Sequence, residues 1–116
     1  MVNFLQETLG EILGSGHTEL DVVFVGSYDG KYRMSWEKFK EKANFIYDLG
    51  YGAQHIATDL IVYFKDGSYM DRKEYDGSEW WEYHGLLHFS EDDDYQDFDV
   101  LGGSKYMWKS IEDMNN

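Results

Sequence analysis

The chain opens on an apolar rhythm of threes and fours: Leu5, Leu9, Ile12 and Leu13 recur at the spacing of one helical face. Asn3 followed by Gln6 resembles a capping box, and Gly14 and Gly16 mark a stop, so a first helix is predicted between them. Residues 20–26, LDVVFVG, are short and β-branched and predict a strand. Asp29-Gly30 signals a hairpin turn, and YRM is its short partner strand. Ser35 is a good N-cap for a second helix running to about Asp48. Trp36, Phe39, Ala43, Ile46 and Tyr47 share its inner face, Phe45 falls opposite as a candidate exposed ring, and Gly50 is the expected left-handed residue that closes it.

The second half changes period. DLIVYF (59–64) is apolar on both faces, as a central strand is. Lys65-Asp66-Gly67 predicts a turn, residues 68–75 a strand, Asp76-Gly77 a tight turn and SEWWEYH (78–84) a third strand. In that strand Trp81 and Tyr83 share one face while Trp80, Glu82 and His84 share the other, so one tryptophan is expected in the core and the other on display. GLLHF is read as an extension of the sheet. Gly102-Gly103 breaks the chain, and Ser104 is expected to cap a last helix with Met107, Trp108, Ile111 and Met114 facing inward. The order α-β-β-α-β-β-β-α predicts an α+β fold: a mostly antiparallel sheet of about four or five strands, packed by helices.

A length of 116 residues predicts one domain over 1–116. With 42% apolar residues, 18% aromatics and no proline, a folded core is expected rather than disorder. There is no cysteine, so neither a disulfide nor a thiolate site can form. No apolar stretch reaches the length of a membrane span, and the first residues lack a signal peptide's basic start, so a cytoplasmic location is expected.

Charge sharpens the picture. The net charge is −13, which disfavours direct binding to nucleic acid or to an anionic membrane and favours a basic partner. Residues 71–99 hold eleven acids against two bases, and residues 90–99, SEDDDYQDFD, hold six acids and no base.

Candidate chemistry is sparse. His84 and His88 stand four apart, but a glycine lies between them and a strand precedes them, so partly buried histidines are favoured over a metal pair. Asp92, Asp94 and Gln96 imitate the start of a calcium loop, which then fails at Asp97, where glycine belongs, and at Gly103, where glutamate belongs. No nucleophile elbow, phosphate loop or dinucleotide fingerprint occurs. The expectation is a protein that is not an enzyme, with no catalytic residue, metal or cofactor.

The acidic run is either a solvated loop or a surface for cations. Carboxylates two apart on an extended chain lie about 6.5–7 Å apart, the order of the phosphate spacing on one nucleic-acid strand. Glu91, Asp92, Asp93, Asp94, Asp97 and Asp99 are therefore candidates to meet Lys and Arg of a partner. Tyr95, Phe98, Trp80 and Trp81 are candidate ring anchors, with Glu82 between the two groups.

Residues 23–83 resemble small proteins encoded by phages and prophages of Gram-positive bacteria. SWEKF, GYGAQHIATDLIV with the overlapping DLIVYF, and YDGSEWWEY carry the resemblance, which covers about half of the chain. It implies an inhibitor of a host defence nuclease, of the anti-CRISPR kind, acting in the infected cell. The implied partner is a basic nucleic-acid-binding protein, a CRISPR effector such as Cas9 being one case. An immunity or adaptor protein that binds a toxin or phage component is the alternative, and a small calcium- or metal-binding domain a more distant one.

Overall fold

The computed structural model describes residues 1–48, 52–103 and 105–116. Its elements are β1 (Val2–Asn3), α1 (Phe4–Gly14), a 3-10 turn (Glu19–Asp21), β2 (Val22–Ser27), β3 (Arg33–Met34), α2 (Trp36–Lys42), β4 (Ile46–Tyr47), β5 (Leu60–Phe64), β6 (Tyr69–Tyr75), β7 (Ser78–His84) and α3 (Ile111–Asn115). The fold is α+β: a five-stranded antiparallel sheet in the order β3-β2-β5-β6-β7, with a two-stranded sheet of β1 and β4 beside it. All five residues of β5 are buried, as a central strand requires.

The capping residues act where the sequence places them. The Asn3 side chain accepts from Gln6 N at 3.0 Å, and Ser35 Oγ accepts from Lys38 N at 3.1 Å. Gly50 and Ser104, expected to close one helix and cap another, lie outside the described residues. The buried face of α1 is Phe4, Thr8 and Ile12, while Leu13 is exposed. Thr8 takes an inner position because its hydroxyl donates to Phe4 O and accepts from Trp81 Nε1, each within 2.9 Å.

The second helix stops at Lys42 instead of reaching Asp48. Its expected continuation serves α1, whose first N–H groups have no partner within their own helix. Phe4 N donates to Phe45 O and Leu5 N to Ala43 O, at 2.9 and 3.0 Å, while Ile46–Tyr47 pair with Val2–Asn3. Phe45 is therefore not an exposed ring: it is half-buried, 5.7 Å from the ring of Phe4. Ile46, expected inside, is exposed.

One face of the sheet packs on the helices, with Phe4, Phe39, Ile56, Phe64, Met70 and Trp81 in its core. The other carries Phe24, Ile61, Tyr63 and Tyr69, covered by Leu87 and Phe89. GLLHF thus does not add to a strand; after one bond, Leu87 N to Gly67 O, it covers this second face. Gly26 permits the β2–β3 pairing, since a Cβ there would stand 2.0 Å from Tyr32 O. Asp76 and Gly77, both at positive φ, make the two-residue turn between β6 and β7.

The last helix is shorter than expected and begins at Ile111, capped by Ser110. Ile111 and Met114 are buried, but Met107 and Trp108 are exposed, against expectation. The chain before α3 is used for pairing instead: Trp108 N donates to Gln54 O and Thr58 N to Lys109 O, and Trp108 sits at φ 64, outside helical space. Among the described residues no helix is long and apolar enough to cross a membrane.

His17 ties the end of α1 to the β5–β6 turn. Its ring stacks on Phe64 at 4.1 Å, Nδ1 lies 3.1 Å from Ser15 Oγ, and Nε2 lies 2.9 Å from Asp66 Oδ2. The arrangement brings serine, histidine and aspartate together, yet the backbone N–H groups of Ser15, Gly16 and His17 are all spent on carbonyls of α1. None of these three backbone donors is free to hold an oxyanion. Hydrogen bonds from Ser68, then from His17, hold the Asp66 carboxyl down to about 2. Its folded value lies below the unfolded one, so its contribution is present above about pH 4 and lost as pH falls toward 2. Asp66→Asn is expected to flatten the acid-unfolding curve between pH 4 and 2 and to lower stability at neutral pH. An acid titration followed by circular dichroism that superimposes on the parent curve would contradict this.

Candidate partner-binding surface

The acidic segment is not a free tail. It runs beside the β2–β3 turn as an irregular strand-like strap: Gln96 N donates to Lys31 O and Arg33 N to Gln96 O, at 2.7 and 2.8 Å. Arg33 is its anchor. Nε donates to Gly30 O at 2.8 Å, Nη1 to Ser90 O at 2.9 Å, and Nη2 stands 3.3 Å from Asp93 Oδ2. The guanidinium lies 4.7 Å from the Phe24 ring, 4.8 Å from Tyr95 and 5.4 Å from Phe89. Asp93 also accepts from Ser90 N, and that bond with the Arg33 charge lowers its pKa.

The far end of the strap is fixed by Lys38 on α2. Its ammonium bridges Asp97 and Asp99 at 2.7 and 2.9 Å, and the bond to Asp97 leads the upward shift of the lysine. Asn115 Oδ1 accepts from Asp99 N and Val100 N. Three of the six acids are thus paired with the chain's own bases. Glu91, Asp92 and Asp94 are exposed with no salt bridge to another described residue. Their side chains do not alternate between two faces as an extended strand would have them, because residues 91–93 turn around Ser90.

The fold adds acids that the linear run does not contain. A cleft of about 410 Å³ is lined by Asp29, Lys31, Tyr32, Asp94, Tyr95, Gln96 and Glu112. A second, of about 380 Å³, includes Arg33, Glu91 and Tyr95, so Tyr95 forms the crest between them. Burial works upward on Asp29, but the bonds it accepts from Ser27 Oγ and Lys31 N carry it below its usual range. Asp59 behaves oppositely: burial raises it, helped by the charges of Asp29 and Asp113. Carboxylates from the β2–β3 turn, the strap and α3 therefore converge on one end of the molecule.

Not every expected site residue belongs here. Phe98 is 2% exposed, edge-on to Tyr32, and Trp81 is 4% exposed with its indole N–H on Thr8. Both are core residues and cannot be surface anchors, because their rings complete the packing around the helices. Trp80 and Glu82 are exposed, but β7 is the opposite edge of the sheet from β3, four strand spacings or about 19 Å away. Tyr95 alone of the proposed rings stands among the acids, about half exposed. Asp29 and Glu112 were missed because a turn residue and a helix-start acid carry no mark of what faces them. Arg33 and Lys38 were missed because each looks like an ordinary surface base.

His84 and His88 do not form a pair. His84 Nε2 lies near Asp71 and Glu82, at 3.1 and 3.3 Å, while His88 is exposed on the covering segment. Among the described residues no group of three or more His, Asp and Glu side chains is arranged to hold a metal ion. Comparison with protein-family models, with curated proteins and with solved structures finds no match.

Proposed function

We propose that the chain is a non-enzymatic, phage-type inhibitor that binds the nucleic-acid groove of a basic defence nuclease, a CRISPR effector such as Cas9 being the model case. Support comes above all from the pinning of the acidic strap: Arg33 and Lys38 hold both of its ends, so Glu91, Asp92 and Asp94 are presented in a fixed array rather than on a tail. Asp29 and Glu112 widen that array, and Tyr95 gives a ring on which an arginine can stack. Fixing the carboxylates before binding removes an ordering cost, and counterions displaced from the partner's cationic groove add a salt-dependent gain.

The acids to neutralise are those without internal duties. The fourfold variant Glu91→Gln, Asp92→Asn, Asp94→Asn, Glu112→Gln is expected to melt at the parent temperature. It should displace labelled duplex DNA from purified Cas9 on the order of a hundredfold less well than the parent, the difference shrinking as salt rises. Equal displacement by the two proteins rules the array out. Asp93 and Asp97 are left intact in this variant because they hold the strap.

A further inference from the structure

β7 is an edge strand of seven residues, and its outer side has no neighbour among the described strands. Which of its backbone groups point outward follows from the hairpin. The two-residue turn at Asp76-Gly77 makes Tyr75 and Ser78 a hydrogen-bonded pair, and the register is unbroken from there to Tyr69 and His84. Lys73–Trp80, Asp71–Glu82 and Tyr69–His84 are then hydrogen-bonded pairs as well. The bond from Phe64 N to Ser68 O agrees, since it turns the even-numbered residues of β6 toward β5. Glu79, Trp81 and Tyr83 consequently aim their N–H and C=O groups away from the sheet, but Glu79 is buried, 1% exposed, where residues 52–56 lie against this end of β7, so the stretch available for pairing begins at Trp81. None of these groups is bonded to another described residue, and a Cβ added at Gly85 just beyond would meet open space.

Exposed edges are normally blunted by proline, by lysine, by a bulge or by an inward-pointing charge. β7 has only the last, Glu79, whose charge is paired by Arg72 in the core. It carries aromatic and acidic side chains, with Trp80 and Glu82 exposed on one side and Tyr83 exposed on the other. Of the five carboxylates of the β6–β7 hairpin, Glu79 is buried against Arg72 and Asp71 pairs with Lys73, which leaves Glu74, Asp76 and Glu82 without an Arg or Lys partner among the described residues. A second copy is a poor occupant, because two chains of charge −13 would meet edge to edge. We infer that the outer edge of β7 accepts an extended, arginine- or lysine-bearing segment of the partner as a sixth strand. This rests on the reading of the chain as a binder of basic proteins, and adds to it a second contact at the far edge of the sheet.

Tyr83 permits a clean test. Its N–H is outside the ladder, so Tyr83→Pro removes an edge donor without removing a bond to β6. Tyr83→Ala loses the same ring contacts and keeps the N–H. The probe is a labelled peptide of alternating Arg and Val. Its affinity is expected to fall at least about tenfold for Tyr83→Pro relative to Tyr83→Ala, the loss of central strand pairing. Hydrogen exchange on the unmodified chain provides the check that needs no substitution: the peptide should protect the amides of Trp81 and Tyr83 but leave those of Trp80 and Glu82, already in the ladder, unchanged. Equal affinity of the two variants, or no added protection at Trp81 and Tyr83, overturns the edge site. If the two Tyr83 variants bind equally while the fourfold acid variant binds weakly, the acidic array stands without it; the reverse pattern keeps the edge and removes the array. A dimer that Tyr83→Pro converts to monomer would assign the edge to a second copy and refute the basic segment.

Discussion

Replacing Arg72 by alanine is expected to cost about 3–5 kcal/mol of folding stability, the range for stripping one partner from a buried ion pair. The side chains of Arg72 and Glu79 are wholly buried, with Nη2 3.0 Å from Glu79 Oε2 and 2.9 Å from the Tyr47 hydroxyl. Nη1 stands 3.4 Å from Glu7 Oε2, and the guanidinium lies 4.9 Å from the Trp81 ring and 5.2 Å from Phe4. Without the arginine, Glu79 keeps the backbone donors of His55 and Ile56 and no salt bridge to another described residue. Tyr47 cannot supply relief. Burial chiefly, with the Glu7 carboxylate it donates to, pushes its hydroxyl above the usual range, so it stays neutral. Urea unfolding of Arg72→Ala should show a midpoint far below the parent with an unchanged slope. In a double-mutant cycle with Glu79→Gln, the combined loss should fall short of the sum by roughly 1–3 kcal/mol. A loss under about 1 kcal/mol for Arg72→Ala would mean that water or a rearranged neighbour takes the arginine's place.

This cluster was within reach of the sequence, because strand parity puts Glu79 on the same face as Trp81. An acid on the face that packs on the helices demands a base opposite, and the paired strand offers Arg72 across from Trp81. Elsewhere the limits were physical. The central strand, the tight turns and the two helix caps depend on neighbours a few residues away, so local pattern was enough. The early end of α2 was hidden because the competing use of residues 43–47 is to cap α1, some forty residues earlier in the chain. Phe98 and Tyr95 stand in the same polar run with the same kind of ring. Only the fold decides that one fills the core against Tyr32 while the other lies over Arg33 at the surface. The acidic segment was legible as charge but not as shape, since its partners, Arg33, Lys38 and Asn115, come from three separate elements.

Arg33 therefore decides whether the acidic segment is held as a fixed strap or released as a tail. Arg33→Ala removes a charged donor set to Gly30 O, Ser90 O and Asp93, together with the packing between Phe24, Phe89 and Tyr95. The expected loss is about 2–4 kcal/mol, since charge-assisted bonds to buried groups and partly desolvated cation–π contacts are each worth one to a few. Lysine keeps the charge but cannot reach both carbonyls from a planar fork, so Arg33→Lys should recover less than half of that. The effect should be local as well as global. Hydrogen exchange at Gln96 and Asp93, whose amides bond to Lys31 O and Ser90 O, should quicken more than exchange in β5. Binding to a cationic partner should then weaken even though the variant has lost a positive charge and become more acidic. Net charge alone predicts the opposite, so a tighter complex for Arg33→Ala at low salt would show that charge, not the fixed array, does the binding.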